Sequence, residues 1–65
     1  MLARLGKKDL AEILRDDYVR ILRAYDDKVT DWDWATAQIA YINSLATRLN
    51  LPLAFPSDPL DRRAL

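Results

Sequence analysis

The sequence predicts an all-α protein: an antiparallel two-helix hairpin followed by a proline-rich tail. Three observations carry this. Apolar residues recur at helical spacing from Leu10 to Val29. A second stretch, Trp34–Leu49 (WATAQIAYINSLATRL), holds a single charge, Arg48, in a chain that is 31% charged. A short polar break, Asp26–Thr30, separates the two, and all three prolines lie beyond Leu51.

Residues 1–8 form a short flexible lead containing Gly6. The first helix is expected over about 9–28. Asp9 reads as its N-cap and Glu12, three residues on, as the capping-box partner. Leu10, Ala11, Leu14, Tyr18, Ile21, Leu22, Tyr25 and Val29 make one apolar stripe, with Ile13 and Val19 beside it. Glu12, Asp16, Arg20, Arg23 and Asp27 occupy the other face, where Asp16–Arg20 and Arg23–Asp27 have the spacing of i, i+4 ion pairs.

The second helix is expected over about 31–49. Thr30 reads as its N-cap, and Val29 and Trp34 have the spacing of a hydrophobic staple. Asp31 and Asp33 suit the partial positive charge of a helix N-terminus. Asn50 is a left-handed stop, and Pro52 forbids continuation. One face repeats at spacings of 3 and 4 (Trp32, Ala35, Ile39, Ile42, Ala46, Leu49), the pattern of a seam against the first helix. A second face holds Ala37, Ala40, Tyr41 and Ser44, flanked by Trp34 and Leu45, and carries no charge. A helix uncharged on nearly every side needs cover on nearly every side. A single hairpin cannot supply it, so the expectation is a four-helix-bundle dimer or docking on a larger protein.

The tail, residues 51–65, reads LPLAFPSDPLDRRAL. Leu51, Leu53 and Phe55 alternate, so an extended segment presents them together. Two readings stand: Leu53 and Phe55 fold back over the open end of the hairpin, or they form a linear docking motif. Ser57 or Asp58 caps a short last turn that begins at Pro59.

Composition limits the chemistry. A 65-residue chain buries only about 60% of its unfolded surface and is marginal alone. It has neither Cys nor His, so no disulfide, no thiol nucleophile and no imidazole base or ligand is on offer. The acids Asp26, Asp27, Asp31 and Asp33 cluster at the break, but without the glycine or the spacing of a calcium loop. Caps and a solvated turn account for them. The expectation is no catalytic residue, no metal, no cofactor and no small-molecule substrate. Ten basic and ten acidic residues cancel, which argues against nucleic acid, since phosphate contacts demand a basic excess. An antiparallel hairpin can place Arg4, Lys7 and Lys8 of one terminus and Arg62 and Arg63 of the other near its open end, where solvated termini account for them. No signal segment is apparent, and the uncharged stretch falls short of the roughly 20 apolar residues of a membrane span. The expected setting is soluble and cytoplasmic.

The function these features favour is a small non-enzymatic protein–protein interaction module: a regulator, adaptor or accessory subunit. Its expected partner-binding residues are Trp34, Ala37, Tyr41, Ser44, Leu53 and Phe55. Two alternatives stand beside it, a nucleic-acid-associated dimer using the basic termini and a minor structural subunit of a multi-chain enzyme.

Overall fold

The computed structural model describes residues 6–63. It shows two helices, α1 (Lys7–Asp26) and α2 (Trp32–Arg48), packed on each other as a hairpin, with no strand among the described residues. Arg4 and most of the expected flexible lead lie outside the described residues; Lys7 and Lys8 already belong to α1.

Both helix starts correct the sequence expectation by a small shift. The N-cap of α1 is Gly6, not Asp9. Asp9 stands at the third helical position, where its carboxylate accepts a 3.4 Å hydrogen bond from the Gly6 N–H. Aspartate suits either position, and nothing in Gly6–Lys8 forces the helix to wait for it. Glu12 therefore has no capping role. In α2 the cap is Asp31, not Thr30: its carboxylate accepts from the Trp34 N–H at 2.8 Å. The one-residue shift takes Val29 out of staple position, and it stands 79% exposed.

Both helices end alike. In α1 the Lys28 N–H donates to the Tyr25 carbonyl and the Val29 N–H to Ala24. In α2 Asn50 donates to Thr47 and Leu51 to Ala46. Each is a full Schellman motif, and each needs a left-handed residue at its first position beyond the cap. Lys28 and Asn50 take it, both at φ 60°.

The seam is correct in its middle and not at its ends. Ala35, Ile39, Ile42 and Ala46 of α2 bury against Leu14, Tyr18, Ile21 and Leu22 of α1. Leu10 and Tyr25 are partly covered. Trp32, expected in the core, is half exposed at 50%, because it opens α2 beyond the last turn of α1. Leu49 at the other end is likewise exposed. The expected pairs Asp16–Arg20 and Arg23–Asp27 do not form; Arg20 instead sits 3.9 Å from Asp17, an exposed pair worth little.

The tail is a third layer. It runs back along the hairpin rather than across its open end. Leu51 is buried where it leaves the α2 cap. Asn43, in the middle of α2, then grips the backbone of Phe55 at both polar atoms. Its Oδ1 accepts from the Phe55 N–H at 2.9 Å and its Nδ2 donates to the Phe55 carbonyl at 3.0 Å. Phe55 is buried against Tyr18, and Leu53 is half-buried beside the core. The expected last helical turn is a single hydrogen-bonded turn, Asp58 to Asp61, in which Pro59 is buried. Beyond it the Tyr18 hydroxyl meets the Asp61 carbonyl at 3.4 Å. Arg62 reaches Asp26 at the far end of α1, and Arg63 pairs with Asp61.

Candidate functional site

A hairpin has two grooves, one on each side of the plane of its helices. The tail fills the groove lined by Tyr18 and Asn43. The opposite groove is open, with a volume of about 440 Å³. Its floor is Ile21 and Ile42, which are buried and so fix the groove to the core. Ala24 of α1 and Leu45 of α2 make the sides. Trp34 and Tyr41 form the outer wall on α2, 42% and 60% exposed. They stand seven residues apart, two helical turns, so both rings project the same way. Asp17 and Arg20 supply a charged rim on α1, and Gln38 lies between the walls.

The six residues expected to bind a partner do not form one patch. Trp34 and Tyr41 line the open groove. Ala37 and Ser44 are exposed on α2, one step around the helix from them. Leu53 and Phe55 lie in the filled groove on the other side, where they pack into the hairpin's own core. Sequence reasoning did not gather the contribution of α1: Asp17, Arg20 and Ala24. The three stand 3 and 4 residues apart on one side of the helix, which was the available signal. The longer stripe through Leu14, Tyr18 and Ile21 is the stronger periodic pattern.

The two basic clusters do not meet at the open end. Lys7 and Lys8 stand there, while Arg62 is tied to Asp26 at the loop end and Arg63 to Asp61. The pair with Asp26 raises the Arg62 pKa, and the bonds from Arg63 lower that of Asp61. The loop acids are dispersed in purpose as well: Asp31 caps α2 and Asp26 holds the tail. Among the described residues no group of three or more acidic side chains converges as metal ligands would. Nor, among them, is any helix long and apolar enough to cross a membrane.

What the open groove offers chemically is apolar area, two aromatic rings and a polar rim. Such a surface binds by burial rather than by bond-making. No family model matches the chain, and neither a curated protein nor a solved structure matches it.

Proposed function

We propose that the protein is a small non-enzymatic interaction module, acting in the cytoplasm, that docks through the open groove and the α2 face beside it. A regulator, an adaptor and an accessory subunit all work this way. The observation that carries the reading is the difference between the two grooves. One is filled by the chain's own apolar tail. The other keeps Trp34 and Tyr41, 42% and 60% exposed, in water. Aromatic anchors are the usual centre of a protein interface. The docking set is then Trp34, Ala37, Tyr41 and Ser44; Leu53 and Phe55 serve the fold. The nucleic-acid alternative loses support because Arg62 and Arg63 are already engaged by acids.

A photoreactive amino acid at Tyr41, expressed in the native host, tests the proposal. Irradiation should join the chain to a discrete protein, a larger partner or a second copy. The same group at Asp16, exposed on the polar side of α1, should give no such product. Equal labelling from both positions, or none from either, overturns it.

A further inference from the structure

We infer that the occupant of this face is a second copy of the chain, paired antiparallel through α2. In that pairing Tyr41 of each copy sits on the partner's Ala37, and Trp34 sits on the partner's Ser44. The inference rests on the docking reading above and adds the partner and the register.

Helix α2 carries two seams. The inward one is Ala35, Ile39, Ile42 and Ala46, consumed by α1. The outward one is Trp34, Ala37, Tyr41, Ser44 and Arg48, all exposed. Its spacings run 3, 4, 3, 4, the repeat that lets one helix lie along another. The residues also alternate large, small, large, small. A parallel pairing would set Tyr41 on Tyr41 and Ala37 on Ala37, with crowded layers beside empty ones. An antiparallel pairing sets each large ring over a small residue, the arrangement that fills space evenly. Once Tyr41 lies on the partner's Ala37, Trp34 must lie on the partner's Ser44, because each step is seven residues. Two-fold symmetry then repeats both contacts.

Charge agrees with the same register. It brings Arg48, the only basic residue of α2, to the start of the partner's α2, where Asp31 and Asp33 stand. The parallel alternative stacks Arg48 on the partner's Arg48. Between these ends the seam holds no charge to bury unpaired.

Sedimentation equilibrium on the full chain tests the inference, with circular dichroism to confirm that each variant keeps its helices. The wild type should be a dimer at micromolar concentration. Tyr41→Arg should weaken it roughly a hundredfold by placing a charge in the seam. Arg48→Glu should weaken it on the order of tenfold, since two exposed attractions become two repulsions. Adding Asp33→Arg to Arg48→Glu should recover the wild-type dimer, although each change opposes its own helix dipole. Only the antiparallel register predicts that recovery. Ala37→Trp, which leaves the hairpin core untouched, should weaken the dimer by blocking the seat of the partner's Tyr41. A wild type that stays monomeric to about 1 mM, a Tyr41→Arg dimer of full affinity, or a double variant no better than Arg48→Glu overturns the inference. A monomeric chain that still labels one host protein from Tyr41 leaves the docking reading standing and removes self-pairing alone.

Discussion

The ring of Phe55 stacks on the ring of Tyr18, with centroids 4.4 Å apart and planes inclined by 20°. Tyr18 is fully buried in the middle of α1, so this contact fastens a proline-interrupted tail to the centre of the hairpin. The tail is therefore part of the core rather than an appendage. Phe55→Ala should cost about 3–5 kcal/mol, the usual loss for a buried ring. A domain this small has little more than that to lose. Leu60→Ala, exposed on the same tail, should change stability by less than about 0.5 kcal/mol. Thermal melts of the two variants check the contrast; similar melting points would mean that the tail carries no core.

Asn43 holds the tail by a different means. Its amide satisfies both polar atoms of the Phe55 backbone, which would otherwise be part-buried without partners. Asn43→Ala should cost about 1–3 kcal/mol. Asn43→Asp keeps the acceptor for the Phe55 N–H but points an anion at its carbonyl, so it should be no better. Hydrogen exchange gives the specific readout. The Phe55 amide should lose protection in both variants while the amides of α1 and α2 keep theirs. Unchanged protection at Phe55 would show that the stacked ring alone fixes the strand.

Lys28 and Asn50 occupy equivalent left-handed positions at φ 60°, and they are unequal in cost. Asparagine takes that conformation at lower cost than lysine. Nor does the first motif gain a covered apolar contact, since Val29 is exposed where its counterpart Leu51 is buried. Lys28→Gly should therefore stabilise the chain by about 0.5–1 kcal/mol, and Asn50→Gly by less. Denaturant titration of both variants measures the order. Equal gains would mean that the two positions are strained alike.

The order of these effects marks what the sequence made legible. Periodicity located both helices to within two residues and the four central seam residues of α2 correctly, because burial of one stripe is a local, repeated signal. Asn50 and Pro52 marked the end of α2 for a similar reason. The caps moved because Asp9, Thr30 and Asp31 are each chemically competent at more than one position. Trp32 was misplaced because the seam pattern continues past the point where α1 stops. The tail's path was beyond reach. Tyr18 and Phe55 meet through a return of the chain that no local pattern records. The one hint was Asn43, a poor helix former on the shoulder of an apolar seam. For the open groove, α2 announced its wall through Trp34 and Tyr41. The α1 side stayed hidden behind a stronger neighbouring stripe.

Tyr18 also makes stability depend on alkaline pH. Burial pushes its phenol above the ordinary value of 10.0; Arg62 opposes the shift and Asp61 adds to it. A phenol with a raised folded pKa contributes stability that is fully present below the unfolded value. That stability is lost as pH rises through the folded value, because the unfolded chain gives up the proton more readily. The hairpin should therefore hold its melting temperature up to about pH 9 and lose it above pH 10. Other groups titrate in that range, so the comparison that isolates Tyr18 is with Tyr18→Phe. Near neutral pH that variant loses only the long 3.4 Å bond to the Asp61 carbonyl, which should cost no more than about 1 kcal/mol. Above pH 10 it should outlast the wild type, since it has no buried proton to surrender. Melting temperatures of the two proteins plotted against pH should converge and then cross. Curves that stay parallel through pH 11 would show that the Tyr18 hydroxyl reaches solvent and that the tail does not seal the ring.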